Sequence, residues 1–492
     1  MRYILMNKNK EITSFDVGSS YASVYVVSNA KKCDRKSLPY GYLLHEEKED
    51  INLGLSQWLS NRSAAEHNSL ADRVISMQHL YDPKEFVRHT HAASLNDTFW
   101  VREETEKISW EEVSLYRKQY NPLVSQACLG VAEAMQQIKT AETDLSCCPE
   151  LLHNGSFPRM FRNTDDGILF YKSGSDESRS ARCEVLSAEI SKAMNNGAYY
   201  VPYDFTQEFG KDLCYCKWFT DESTGLVTPY TLLNGRYPTI GEVFEMVQKY
   251  GCEAQYRRML VLDALTFNRD RHLNNFGFLM DNDTLEIKGF APFFDQNKSL
   301  FGDLRKEDFE HISRHIYYRR PRIGRDFTGL GRWAITEEIV GDLETMRDFS
   351  FTFRGDDTMP DWMVEGIENT VRRQIEGLLD LTIPENEVFA KKKTEEELMK
   401  EKYERAVFRA NTIKRILDAF LAAEPDLTDY DTIVHTDADA YMASTKITAH
   451  DGSGEMIVDT MAWTAVSSGK EFEQVLQDKI YQLIMTFQGS EE

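Results

Sequence analysis

The sequence predicts an α+β protein with several separate hydrophobic cores. Its 492 residues exceed what one core usually organises. Short β-prone runs gather in clusters along the chain, and longer runs of helical period lie between and after them. A composition of 41% apolar, 12% aromatic and 28% charged residues belongs to packed globular proteins and excludes collagenous, low-complexity and wholly disordered classes.

Residues 3–6 and 21–27 are β-prone and bounded by Asn/Lys and Gly/Ser turns, which predicts a small sheet. Over 51–80 the apolar positions Leu55, Trp58 and Leu59, then Leu70, Val74, Ile75 and Met77, recur at helical spacing. Residues 97–112 are charged and aromatic, and past Pro122 a helix is predicted over 124–138. A boundary near Leu145 makes 1–145 an N-terminal α/β accessory domain. Strands at 167–171 and 212–219 with a helix at 184–194 give a small sheet carrying one helix, over 146–220. Beyond the Gly/Pro-marked connection around Pro238, a mostly helical part is predicted over 221–385, with helices at 240–265, 336–348 and 361–381. Residues 386–492 read as a C-terminal extension. It comprises a long amphipathic helix at 391–421, strands at 432–435, 441–448 and 455–466, and a last helix at 470–485. No repeat of fixed period stands out.

With 57 Lys and Arg against 80 Asp and Glu, the net charge of −23 repels polyphosphate and anionic surfaces. Direct nucleic-acid and membrane binding are therefore not expected, a local basic patch excepted. The eight cysteines show no C-x-x-C pair and read as reduced thiols. The opening residues are too briefly apolar for an export signal, so a cytoplasmic protein is expected.

Phosphoryl transfer depends on positioning and charge neutralisation. It needs a carboxylate beside the attacking hydroxyl, oxygen ligands for magnesium and a cation on the nucleotide phosphates. The run Asn268-Arg-Asp270-Arg-His272-Leu-Asn274-Asn275, with Asp295 of Ala291-Pro-Phe-Phe-Asp295, offers the first two. Asp270 stands just past the helical run ending near Leu265, and Asn275 follows in a loop, so one side chain can face an acceptor and the other a metal. Asp295 follows an apolar turn and can supply a second hard oxygen ligand. Taken singly, Asp and Asn also cap helices and shape turns, and that alternative stays open here. His89 and His91 share one face of a strand but lack carboxylate or cysteine support, so no metal site is expected there.

The pattern Asn268-x-Asp-Arg-His-x-x-Asn275, followed by Ala-Pro-Phe-Phe-Asp295 and Ser299-Leu300, resembles the signature of HipA-like kinases, bacterial relatives of the protein-kinase and phosphoinositide-kinase folds. The resemblance implies a two-lobed protein-kinase-like fold, with a small β-rich lobe at 146–220 and a helical lobe at 221–385. It makes Asp270 the catalytic base, and Asn275 and Asp295 the magnesium ligands. Phe170-Tyr-Lys172-Ser-Gly174 is similar to the family's strand with the ATP-binding lysine. Glu184 resembles the glutamate that orients this lysine, with Glu189 as the fallback. The loop His153-Asn-Gly-Ser-Phe-Pro-Arg159 occupies the position of the family's phosphate-covering loop. Gly155 would shape it and Ser156 is a candidate for autophosphorylation, a plain turn being the alternative. Lys217-Trp-Phe219 falls at the expected hinge, where its backbone would bond adenine, and ordinary core packing competes with that reading. Arg314, Arg319, Arg320, Arg322 and Arg325 suit an acidic or phosphorylated substrate, or else form a solvated face. Residues 95–100 resemble N-terminal regions that accompany some HipA-like proteins, and nothing after about residue 385 resembles any family.

The expectation is thus an ATP- and Mg²⁺-dependent Ser/Thr protein kinase with a toxin or regulatory role. The family's toxin members imply a translation factor as protein substrate. Without a helix-turn-helix pattern, an antitoxin or regulator would be a separate chain. Two alternatives stay open: a lipid or small-molecule kinase of phosphoinositide-kinase type, and a catalytically silent nucleotide-binding regulator.

Overall fold

The computed structural model describes residues 2–19, 25–40, 51–63, 68–80, 82–152, 155, 157–174, 179–233, 238–323 and 326–380. Beyond these it describes positions scattered over 399–418, with 430–437, 442–449 and 455–458. The chain is a mixed α/β protein of several antiparallel sheets and many helices, divided into two compact units, Met1–Glu385 and Asn386–Glu492.

The first sheet of the larger unit runs in the order Tyr25–Ser28, Lys10–Ser19, Arg2–Asn7 and Phe99–Glu103, all antiparallel. The unbroken apolar run Tyr3-Ile-Leu-Met6 is buried throughout, as suits a strand covered on both faces. Its neighbour Phe99–Glu103 comes from the stretch whose charges disguised a strand, since Phe99, Trp100 and Val101 are all buried. The helical region 51–80 is two helices, Ile51–Ser60 and Ser69–Met77. Asn68 starts the second by accepting from the Leu70 and Ala71 N–H groups. The single helix expected over 124–138 is likewise two, Pro122–Cys128 and Ala132–Thr140.

The second sheet is ordered Arg159–Thr164, Gly167–Ser173, Lys211–Lys217 and Asp204–Glu208, and the helix Ser180–Ala193 packs on it. The third, Ile287–Phe290, Phe278–Asp281 and Thr224–Val227, consists of four-residue strands that carry too little alternation to be read from sequence. The helix expected over 240–265 breaks at Gly251, whose positive φ of 66° ends Ile240–Lys249 before Glu253–Thr266 begins. Helices Phe327–Ala334, Glu337–Thr345 and Asp361–Leu379 complete this unit's core.

In the smaller unit, Tyr430–Asp437, Met442–Ala449 and Glu455–Val458 form an antiparallel sheet in that order. The Thr445 hydroxyl, buried, donates to the Ala410 carbonyl at 2.6 Å. Most of the helix expected at 391–421, the strand beyond residue 458 and the helix at 470–485 lie outside the described residues. No helix among the described residues is long and apolar enough to cross a membrane.

Candidate active site

Glu253–Thr266 is buried on nearly every side, with Tyr256, Met259, Leu260, Leu262 and Leu265 in the core. It ends at Phe267, which takes a left-handed backbone with φ 54°, a conformation a bulky residue holds only where packing over-determines it. The Phe267 ring lies 4.9 Å from that of Phe301 and 5.3 Å from that of Phe327. The chain therefore turns abruptly into residues 268–275.

One buried carboxylate fixes this turn. Asp263 accepts from Arg271 Nε and Nη2 at 2.9 Å each, and from Asn268 Nδ2 and Gln296 Nε2 at 3.1 Å each. Arg271 also donates through Nη1 to the carbonyls of Asn275 and Phe294, the latter at 2.6 Å. Both ends of the loop, and the backbone beside Asp295, are tied to this buried ion pair. Within the loop the Asp270 N–H donates to Asn268 Oδ1 at 3.0 Å, and Asn275 Nδ2 donates to the Asp270 carbonyl at 2.9 Å. With its nitrogen so engaged, Asn275 keeps Oδ1 for a cation.

Lys172 stands on the strand Gly167–Ser173, held between Arg159–Thr164 and Lys211–Lys217. Its Nζ donates to Glu184 Oε1 at 2.7 Å and to Asp295 Oδ1 at 2.8 Å. Glu184, fully buried on the helix Ser180–Ala193, accepts from the Gln296 N–H at 2.8 Å through its other oxygen. Glu189 faces elsewhere, accepting from the Thr352 N–H at 2.8 Å. Burial acts to discharge Lys172, but Asp295 and Glu184 outweigh it and hold the ammonium above its ordinary pKa. The two carboxylates diverge. Burial pushes Glu184 up, whereas Asp295 is held down by Lys172 in spite of its burial. Asp295 is itself left-handed, φ 63°, which aspartate tolerates better than most residues.

Lys172, Asp270, Asn275 and Asp295 line one cleft of about 630 Å³. Its apolar lining includes Phe170, Cys216, Phe219, Val227, Met280 and Phe294, and its polar lining Lys172, Asp270, His272, Asn275 and Asp295. Gly155 also lines it, at φ 140°, and its carbonyl accepts from the buried Arg159. Ser156 lies outside the described residues. The Phe219 ring lies 5.9 Å from that of Phe294, tilted by 33°. Lys217, by contrast, does not reach the cleft. Its exposed side chain crosses Gly167, where a Cβ would come 2.8 Å from Lys217 Cε. Burial lowers the His272 pKa although Asp270 and Asp295 oppose it, and its Nδ1 accepts from the Asn274 N–H at 3.2 Å.

Asp263 and Lys298 were not singled out in the sequence, and the placement of Arg322 at Asp270 and of residues 96 and 97 in the cleft lining was not expected. Asp263 was one carboxylate within the apolar run Met259–Leu265. Lys298, close behind Asp295, pairs with Asp270 Oδ2 at 3.0 Å, and Arg322 reaches Asp270 Oδ1 at 3.2 Å. The N-terminal region also enters the cleft lining through Trp58, Arg62, Asn96 and Asp97. Arg62 lies 4.5 Å over the Trp58 ring and pairs with both Asp97 oxygens, at 2.9 and 2.6 Å. The Leu95 carbonyl accepts from the Trp218 indole at 3.0 Å, the Tyr116 hydroxyl at 2.6 Å and the Thr220 hydroxyl.

A cleft of this size accommodates a nucleotide between its apolar walls. Asp295 and Asn275 are hard oxygen donors. No group of three or more His, Cys, Asp or Glu side chains placed to hold a metal ion occurs among the described residues. That donor set fits magnesium, which takes one or two protein oxygens and completes its shell with phosphate and water. The cysteines are free thiols.

No family model matches the chain, and no curated protein matches it. Among solved structures, the Helicobacter pylori proinflammatory kinase CtkA is similar at 15% identity and TM-score 0.37, over 45% of this chain and 92% of that one. A chain of the Shewanella oneidensis toxin–antitoxin complex of HipA, HipB and operator DNA is similar at 11% identity and TM-score 0.47, over 77% of this chain and 100% of that one.

Proposed function

We propose that this chain is an ATP- and magnesium-dependent phosphotransferase, a HipA-like Ser/Thr protein kinase. The observation that carries the reading is the Lys172 ammonium held between Glu184 and Asp295, in the cleft that Asp270 and Asn275 also line. ATP is the phosphoryl donor, and magnesium held by Asn275 and Asp295 would neutralise charge on its phosphates. Lys172 is kept protonated, so it presents a fixed cation to those phosphates, and Glu184 fixes where the cation points. Asp270 accepts the proton of the acceptor hydroxyl as its oxygen bonds the γ-phosphorus and the bond to the ADP oxygen breaks. Lys298, paired with Asp270 at 3.0 Å, orients that carboxylate. Within this reading Gly155 lies over the phosphates, Ser156 is a site of autophosphorylation, and Phe219, with the backbone of Lys217, borders the adenine. Residues 146–220 and 221–385 act as the two lobes. The protein works in the cytoplasm on a protein hydroxyl, with a translation factor as the substrate and a separate antitoxin chain as the regulator.

Radiolabelled ATP with magnesium tests the proposal, comparing wild type with D270A and D295A on protein acceptors and on phosphoinositide vesicles. Transfer to protein by wild type alone is expected. Equal labelling by all three proteins contradicts it. Transfer to lipid only turns the reading to a lipid kinase, and nucleotide binding without transfer turns it to a silent regulator.

A further inference from the structure

The most exposed side chain paired with the proposed base is a cation. Arg322 is 53% exposed, follows the helix Ile312–Tyr318, and places Nη2 3.2 Å from Asp270 Oδ1. Lys298, only 19% exposed, holds the other Asp270 oxygen. Next along the chain, Arg269 lies 3.4 Å from Asp303, which also pairs with the buried Arg319. Four cations, Arg269, Lys298, Arg319 and Arg322, thus face two carboxylates, Asp270 and Asp303. This local excess of positive charge lies in a chain whose net charge is −23.

The two cations on Asp270 are not equivalent. Lys298 is enclosed and stays with the base. Arg322 is mostly in water and touches Asp270 with one end of a fork built to hold a planar anion by two bonds. An acceptor hydroxyl approaching Asp270 competes for the oxygen Arg322 now occupies, and Arg322 is released toward whatever lies beside that hydroxyl. A carboxylate there takes up the fork, whereas a lysine there meets a cation with no counter-charge left.

Resting on the phosphotransferase reading, we infer that the acceptor is a Ser or Thr hydroxyl in an acidic stretch of protein, and that Arg322 selects it. The contact between Arg322 and Asp270 holds the base until such an acceptor displaces it.

The test is steady-state transfer by the full chain to peptides that carry one serine flanked by aspartate, phosphoserine, asparagine or lysine. Wild type should favour the aspartate peptide over the asparagine peptide about tenfold in kcat/KM, the scale of one charge-assisted hydrogen bond. R322E should reverse the order and favour the lysine peptide, while R322K keeps the acidic preference but weakens it. A phosphoserine peptide favoured more than the aspartate peptide still supports an anion-binding Arg322. Equal use of all four peptides by wild type overturns the inference while leaving the kinase reading intact. An acidic preference that R322E retains overturns the role of Arg322. Absence of transfer to any acceptor removes both. Because Arg322 is exposed, unchanged ATP affinity and thermal midpoint in R322E establish that an altered preference is not a folding defect.

Discussion

Asp263 and Glu150 carry the sharpest predictions at the scale of single residues. Asp263 is a buried carboxylate whose removal strands the Arg271 guanidinium, itself 2% exposed. Breaking a buried pair from one side costs about 3–5 kcal/mol, so D263A should lower stability by that order in denaturant titration, and transfer should fall with it. An unchanged midpoint would deny that this pair organises the loop. Glu150 is buried with no exposure, and its Oε1 accepts from the Phe161 N–H at 2.8 Å. Burial raises its pKa from 4.5 to about 7. The folded state therefore holds a proton that the unfolded chain releases, a contribution present below 4.5 and lost as pH rises through about 7. E150Q should gain on wild type between about pH 5 and pH 8.5, by on the order of 3 kcal/mol. Stability differences that stay constant over that range would contradict the assignment. Asp270, Asn275 and Asp295 were legible because acid and amide groups cluster there in a short window. Asp263 was not, since its role appears only when the loop folds back on the helix before it.

At the scale of elements, the helix Ser180–Ala193 decides whether Glu184 reaches Lys172. Arg179 Nε donates to the Thr358 carbonyl at 2.6 Å and Nη1 to the Gly302 carbonyl at 2.9 Å. Arg182 pairs with Asp356 and stacks between Phe205 and Phe353, 3.1 and 4.4 Å from their ring centres. The Ser187 and Ser299 hydroxyls meet at 2.8 Å. R182A should loosen this helix, seen as faster amide exchange over 180–193 together with slower transfer. Exchange equal to wild type would show that the Arg182 contacts are dispensable. The helix was legible by its period, but its true start at Ser180 was not, because Arg179 enters it in a left-handed conformation without a side-chain cap. The third sheet was missed for a related reason. Strands of four residues owe their structure to pairing partners far along the chain rather than to their own pattern.

At the scale of the larger unit, the N-terminal region is built into the cleft rather than appended to it. Asn7 Nδ2 donates to the Asn282 carbonyl at 3.0 Å, Asn68 Nδ2 to the Phe157 carbonyl at 3.2 Å, and the Leu226 N–H to the Asn96 carbonyl at 2.7 Å. Gly225 permits the last approach, because a Cβ there would come 2.6 Å from the Asn96 carbonyl oxygen. G225A should displace the segment around Asn96, cost about 1–3 kcal/mol in stability and weaken ATP binding. Unaltered stability and affinity would detach this region from the site. None of this docking was legible, since each bond joins residues far apart in sequence. What the sequence did show was the order of Lys172, Glu184, Asp270, Asn275 and Asp295; the cleft gathers all of them but Glu184, which bonds Lys172. The central claim is that this gathering is a centre for phosphoryl transfer with Asp270 as its base. Single-turnover transfer by D270N, measured beside its ATP affinity, tests it most directly. The rate should fall by about 10²–10⁴-fold with affinity near that of wild type, whereas transfer at the wild-type rate would contradict the account.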